Sequence, residues 1–595
     1  MLFSTLAQYL EKLEKTASRN EITKILAEAL ARAGGEEINE MCYLLLGELV
    51  PAYRGIEFQI AEKMMIQILA SAYARPPAEV ARAYGQAGDL GDLAHGLAAR
   101  ARGRERALSV GAVYRRLMEV AVEKGDGSQD RKIASMAALF ADLDRLSAKY
   151  VARIPVGKLR LGFSDATILD ALSLMAVGDK SARKEIEHAY NITADIGLIA
   201  ARLKAGGLAS LRRLQARPGT PIRASLAERL SKIEEVIAKA GPEVGVEQKL
   251  DGLRTQIHMW EEEGEKQVAL FSRNLENTTH MFPEITRAAQ KLKVKSVILD
   301  GEAIGYNPKT GKFAPFQETI QRKRKHDIEE FAKKIPLSIF VFDVLYCNGK
   351  PLLDRPFLER RKVLERIFPA GRRADTIWLT AHLTTSDPAE ISKELAKSVA
   401  AGLEGLVVKN LALPYEPGSR GFHWIKIKAT TAALGKLRAG SAPGLPDTVD
   451  CVVMGAYRGR GKRTQFGVGG FLLGVRGKDD RYYTISRLGT GLSDADLREA
   501  YRRVRSLAVR EAPSQYVVEK DSAPDTWVRP ALVVEILADE ITLSLRHTAG
   551  KKKEGRGYSL RFPRLVRIRD DKRPEDATAV DEIAAMHRRQ KTASK

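Results

Sequence analysis

Val246-Glu-Gln-Lys-Leu-Asp-Gly-Leu-Arg254 is the stretch that decides how this 595-residue chain is read. Val244 and Val246 open an apolar/polar alternation that runs into Lys249, and this period of two predicts a strand. The Asp251-Gly252 pair then marks the turn that ends it. A lysine delivered at the end of a strand sits on a rigid element yet reaches into whatever cleft lies above. It acts as a nucleophile only where its ammonium can lose a proton, which takes desolvation or neighbouring positive charge. Lys-x-Asp-Gly alone also suits an exposed turn, so the flanking segments carry the decision.

Those segments alternate strands with helices over residues 216–428, after a boundary at Pro218-Gly-Thr-Pro221. Residues 254–260 and 266–271 predict a hairpin around Glu261-Glu-Glu-Gly264, leading to Ser272-Arg273-Asn274. A helix over 283–292 precedes the strand Ser296-Val-Ile-Leu-Asp-Gly-Glu302, and the mostly apolar run 338–346 predicts a buried strand. A helix over 389–401 leads to the strand Glu404-Gly-Leu-Val-Val-Lys409, and Trp424-Ile-Lys-Ile-Lys428 places Lys426 and Lys428 on one face. Each strand delivers charge at its end or on one face. The cations are Lys249, Arg254, Arg273, Lys409, Lys426 and Lys428; the carboxylates are Glu302 and Glu404. Any one of them suits a solvated strand end, but together they make a list of parts for a nucleoside triphosphate. Magnesium, which binds through one or two carboxylates plus phosphate, fits Glu302 and Glu404.

Residues 1–215 read differently. Leu2, Leu6, Tyr9, Leu10 and Leu13 recur at helical spacing, and similar patterns follow at 57–74, 110–124, 135–146, 164–176 and 182–189. Without a comparable strand signal, this is an all-helical module. Two loops in it admit two readings. Gly125-Asp-Gly-Ser128 opens a helix carrying Lys132, and Lys158-Leu-Arg-Leu-Gly162 sets two cations beside a glycine, ahead of a helix that Asp165 is expected to cap. Each is an ordinary capped turn or a phosphate contact that positions nucleic acid without reading its sequence.

Residues 429–595 form a β-rich module behind a linker at 439–446. Short strands at 450–457, 469–475, 481–488 and 531–537 suit a small antiparallel barrel of the OB type, with a basic, disordered tail from 586. The net charge of +22 makes nucleic acid the leading partner class, with solubility or an anionic membrane surface as the alternatives. Three scattered cysteines, Cys42, Cys347 and Cys451, are too few for a four-thiolate zinc site and point to a reducing compartment. No apolar run is long enough for a membrane span.

In order and spacing, Lys249-x-Asp-Gly-x-Arg, Ser-Arg-Asn, Leu-Asp-Gly-Glu302, Phe342-Asp-Val-Leu-Tyr, Glu404-Gly-Leu-Val-Val-Lys409 and Trp424-x-Lys-x-Lys428 resemble the covalent nucleotidyltransferases. Within them the chain is most similar to ATP-dependent DNA ligases of the archaeal and eukaryotic replicative type. The helical module, through Gly127, Ser128, Lys132, Lys158, Arg160 and Gly162, looks like that family's DNA-binding domain, and Leu560-Arg-Phe-Pro-Arg564 resembles a motif of its third domain. The resemblance implies a multidomain α+β chain: a helical DNA-binding domain (1–215), a nucleotidyltransferase domain (216–428) and an OB-fold β-barrel domain (429–595).

It further implies that Lys249 is adenylylated, that Glu247 meets the adenine side and that Phe342 stacks on the base. Arg254, Arg273 and Glu302 would hold ribose and phosphate, and Arg420 and Lys426 would neutralise phosphate. Lys409 and Lys428 would line the same pocket, while Arg561 and Arg564 would face the triphosphate. ATP with Mg2+, for which Mn2+ can substitute, and nicked double-stranded DNA are the implied cofactors and partner, for a monomer at work in the cytoplasm, on the nucleoid, in replication, repair and recombination. A sliding clamp is a further partner of the family, though Ala7-Gln-Tyr-Leu10 makes a poor clamp-binding box. An RNA-capping guanylyltransferase or RNA ligase, and a DNA-binding scaffold without chemistry, are the competing readings.

Overall fold

The computed structural model describes every residue except 17, 36, 100–104, 158, 160, 231–232, 308–309, 325–326, 369–372, 375, 429–447, 459–466, 490–493, 539, 552–554 and 593–595. The expected linker at 439–446 therefore lies outside the described residues. The chain divides into two compact units, one of residues 1–228, 237–386 and 407–426, the other of 229–236, 387–406 and 427–595.

In the first unit, helices are the regular elements formed by the described residues from Phe3 to Leu211. The opening helix, Phe3–Glu14, buries Phe3, Leu6, Tyr9, Leu10 and Leu13 along one stripe, the periodicity read from sequence. The segment expected over 57–74 is helical only from Glu62 to Ala72. The one expected over 135–146 is two helices, Ser128–Asp142 and Arg145–Arg153. They part at Asp144, whose Oδ1 accepts hydrogen bonds from the Leu146 and Ser147 amides, each at 3.0 Å, and so caps a new start. Asp165 is not the cap expected of it. Ser164 takes that position, while Asp165 accepts hydrogen bonds through Oδ2 from the Tyr190 hydroxyl at 2.9 Å and the Arg223 guanidinium at 2.8 Å.

Two sheets follow. One has five strands in the order Leu226–Arg229, Arg420–Lys428, Gly405–Asn410, Val244–Lys249, His382–Thr385. The other runs Glu265–Ser272, Leu253–Glu262, Val297–Asn307, Leu337–Cys347, Ile377–Leu379, Arg373–Ala374. Leu253–Glu262 and Glu265–Ser272 form the expected hairpin, and Arg254 pairs directly across from Glu302. Lys249 ends a strand of the first sheet and Arg254 stands near the start of a strand of the second, so the Asp251-Gly252 turn hands the chain from one sheet to the other. Gly252 is required there because a Cβ would overlap the Ala303 carbonyl oxygen.

The second unit contains the strand-rich C-terminal half-barrel. Val449–Tyr457 lies between Gly470–Arg476 and Thr526–Val528 and also pairs with Val533–Leu537, and a separate ribbon joins Glu540–Ser544 to Gly557–Arg561. The tail expected to be disordered is instead helical over Val580–Thr592. Ile583 is fully buried and Val580 and Met586 pack on the same core, and this apolar contact holds the helix in place.

Candidate active site

Lys249 occupies the last position of its strand and is half-buried. Beside it lies Glu302, whose Oε1 accepts a hydrogen bond from the Gly252 amide at 3.2 Å. Burial pushes the Glu302 carboxyl up to about 7, against the pull of the Lys249 and Arg254 cations and the Gly252 amide. A carboxylate of this kind next to a lysine can change its protonation near neutrality. It also suits one end of a magnesium ion whose remaining ligands are phosphate and water. Among the described residues, no group of three or more His, Cys, Asp or Glu side chains is placed to hold a metal by itself.

Arg254 is drawn inward. Its Nη2 and Nε reach the two oxygens of Asp300 at 2.7 and 3.2 Å, its Nη1 donates to the Ser225 carbonyl at 2.6 Å, and the Tyr415 hydroxyl donates to Asp300 at 2.8 Å. With Asp300 fully buried, this bidentate pair is part of the scaffold. The Arg254 guanidinium also lies 5.5 Å from the Phe342 ring centroid and 5.3 Å from that of Trp424. Lys409 approaches the same two rings at 5.0 and 4.8 Å and donates to the Phe342 carbonyl at 2.7 Å. Phe342 and Trp424 meet edge to face at 5.7 Å.

Glu247, two residues before the lysine, is 3% exposed. Its Oε2 pairs with Lys409 Nζ at 2.8 Å. Burial alone would raise its carboxyl, but Lys409, His382 and Arg361 together hold it below the usual carboxylate range. Burial in turn lowers the Lys409 ammonium. Glu247, Lys409 and Phe342 thus form one partly apolar, charge-balanced cradle in the same unit as Lys249.

The remaining predicted residues are spread more widely. Arg273 is exposed and lines a cavity of about 550 Å³ shared with Arg223, Asp165 and Tyr190. Arg420 is exposed, and Lys426 donates to the Ala227 carbonyl at 3.2 Å. Lys428 ends its strand, with its side chain outside the described set. Glu404 and the two C-terminal arginines belong to the second unit. There Arg561 is 2.6 Å from Glu540 and 3.9 Å from Glu404, and Arg564 starts the strand Arg564–Ile568. In the helical module Gly127 adopts φ +71° at the start of the Ser128–Asp142 helix, and Gly162 has φ +74°. Lys132 is 4% exposed and donates to the Phe58 carbonyl at 3.0 Å, so its ammonium braces the fold. Lys158 and Arg160 lie outside the described residues.

The chain matches three family profiles: DNA ligase N terminus over residues 2–173, ATP dependent DNA ligase domain over 224–428, and ATP dependent DNA ligase C terminal region over 464–572. A probable DNA ligase of Dictyoglomus turgidum is 42% identical, covering 99% of this chain and 98% of that protein. A DNA ligase of Thermoplasma volcanium is 38% identical, covering 99% of each. The chain belongs to the ATP-dependent DNA ligases. A solved structure described as "Pmar-Lig_Pre." overlays with a TM-score of 0.54 at 17% identity, covering 95% of this chain and 99% of that one, a likeness of fold.

This ligase is therefore an enzyme that joins DNA strands and uses ATP, with a helical N-terminal region, a central nucleotidyltransferase domain and a strand-rich C-terminal half-barrel. Among its described residues, no helix is long and apolar enough to cross a membrane. Sequence reasoning missed the residues that brace the ligase's site, namely Asp300, Tyr415, Arg361, His382 and the fully buried Asp343–Arg360 pair at 2.8 Å. A signal was present for two of them. Asp300 and Asp343 each interrupt an apolar strand, and a charge buried in such a strand requires a partner.

Proposed function

We propose that this ligase seals nicks in duplex DNA through a lysyl-AMP intermediate on Lys249. The observation that carries the reading is the placement of Lys249 at a strand end beside the half-buried carboxyl of Glu302, in the same unit as the Glu247–Lys409–Phe342 cradle. Lys249 Nζ attacks the α-phosphorus of ATP, the bond to the β-phosphate oxygen breaks, and pyrophosphate leaves. The adenylyl group then moves from Lys249 to the 5′-phosphate at the nick. Finally the 3′-hydroxyl attacks that phosphate, displacing AMP and closing the strand. Such transfers rest on positioning and charge neutralisation, which Arg273, Arg420 and Lys426 serve on the phosphates.

Adenine enters the cradle with Phe342 against its face and Glu247 toward its edge. Arg254 serves indirectly, by fixing the two strands that carry Glu302 and Phe342. Glu302 is the carboxylate in this unit that would take magnesium, or manganese in its place, and the ion would offset phosphate charge. Gly127, Ser128 and Gly162 offer backbone contacts to the DNA. The protein acts as a monomer on the nucleoid. A clamp would need a segment other than residues 7–10, where Ala7, Tyr9 and Leu10 belong to the helical core.

The test is incubation with α-labelled ATP and magnesium, a denaturing gel, and a chase with nicked duplex. Wild type forms a labelled band that disappears as the nick closes, and Lys249→Ala forms none. A band that persists in Lys249→Ala would place the nucleophile elsewhere. A band obtained only with GTP would favour the capping reading.

A further inference from the structure

Three buried atoms without hydrogen-bond partners lie close together: Glu247 Oε1, Arg361 Nη1 and His382 Nδ1. Arg361 Nη1 and His382 Nδ1 stand 3.5 and 3.4 Å from Oε1, close enough for strong attraction but outside good hydrogen-bond geometry. Oε2 of the same carboxylate is already occupied by Lys409. Buried carboxylate oxygens are ordinarily satisfied, so an unpaired one calls for an explanation.

The two cations-or-donors behind it are fixed by their own surroundings. Arg361 is 2% exposed, its Nη2 donates to the Thr380 carbonyl at 3.0 Å, and its Nε pairs with Glu365 at 3.1 Å. His382 sits directly across from Glu247 in the antiparallel pairing of their strands, and its Nε2 lies 3.2 Å from the Thr384 hydroxyl. Room for the imidazole comes from Gly245, where a Cβ would overlap the ring. A bulkier residue at 245 would push His382 away from the carboxylate.

We propose that Arg361 and His382 are positioning residues for base choice, holding Glu247 so that Oε1 accepts a hydrogen bond from the exocyclic amino group of adenine. This rests on the reading above that Glu247 meets the base. Guanine carries a carbonyl oxygen where adenine carries that amino group, so a fixed, ionised acceptor favours one base and repels the other. A carboxylate free to rotate or to take up a proton discriminates less, because either change offers guanine a tolerable partner. Site groups built to pair with a substrate donor reject the analogue lacking it, since they would be left buried and unpaired.

The experiment measures single-turnover labelling of the enzyme by α-labelled ATP and by α-labelled GTP over a range of nucleotide concentrations. It compares wild type, Glu247→Gln, Arg361→Met, Arg361→Lys and His382→Leu. Arg361→Met and His382→Leu are expected to raise the ATP concentration for half-maximal labelling about tenfold and to shift the GTP:ATP labelling ratio toward GTP by a similar factor. The rate at saturating ATP should stay within about threefold, and Arg361→Lys should restore part of the ratio. Both nucleotides are read on one preparation, so the ratio does not depend on the fraction of a variant that folds. An unchanged ratio in Arg361→Met and His382→Leu, with a changed ratio in Glu247→Gln, overturns the proposal and leaves Glu247 on the base. An unchanged ratio in Glu247→Gln overturns both. Absence of label on wild type with ATP would instead defeat the lysyl-AMP reading itself.

Discussion

Glu302 is pulled in two directions, and the conflict is measurable. Burial favours its neutral form, while Lys249, Arg254 and the Gly252 amide favour the charged one, and the balance lies at about 7 against an ordinary value of 4.5. Between these two pH values the folded protein holds a proton that the unfolded chain has released. Stability therefore falls as pH rises through that window, by at most about 3 kcal/mol, and the loss is complete above pH 7. Glu302→Gln cannot titrate. Melting temperatures of the metal-free proteins taken from pH 4.5 to 8 should show wild type losing ground steadily to Glu302→Gln, and parallel curves would mean that Glu302 does not titrate there. The neighbouring Arg254–Asp300 pair makes the opposite case, of charges that satisfy each other. Arg254→Met leaves Asp300 buried with only Tyr415, which should cost about 3–5 kcal/mol in urea unfolding followed by tryptophan fluorescence. A midpoint within error of wild type would remove Arg254 from the scaffold.

At the scale of elements, the strands were legible because their alternation and their terminal charges agree. The strand from Val244, the 254–271 hairpin and the long strand through Phe342 all stand within a few residues of their reading. The helical module was less so. The break at Leu143-Asp144 hides inside a continuous apolar periodicity and shows itself only through the Asp144 cap. Bracing residues are harder still. Arg361 and His382 come from a helix and a strand far along the chain from Glu247, and nothing local in sequence announces that they converge on it. The turn carrying Gly252 is where local chemistry and long-range pairing meet. Gly252→Ala places a methyl group against the Ala303 carbonyl, which must part the Lys249 strand end from Glu302. Single-turnover lysyl-AMP formation should fall at least a hundredfold, for a stability loss of only about 1–3 kcal/mol. A variant that adenylylates at the wild-type rate would show that the turn yields without cost to the site.

For the whole molecule, the surplus of 97 Lys and Arg over 75 Asp and Glu sets how it meets DNA. Some of this charge is spent inside the protein. Arg153, Arg360 and Lys132 are buried and bonded to protein groups, so they offer nothing to a phosphate. The rest must act at the surface, where each phosphate neutralised releases counterions and makes binding weaker as salt rises. An enzyme that contacts six or more phosphates should lose about a thousandfold in affinity between 50 and 200 mM salt, a log–log slope near −5 or steeper. Nicked duplex with a 5′-hydroxyl cannot be sealed and isolates this binding step. A slope shallower than about −2 on that DNA would mean that few phosphates are contacted. The excess charge would then serve something other than the substrate. If the slope is steep and nearly equal on intact duplex, the basic surface supplies affinity without finding the nick, and recognition of the break falls to the residues around Lys249.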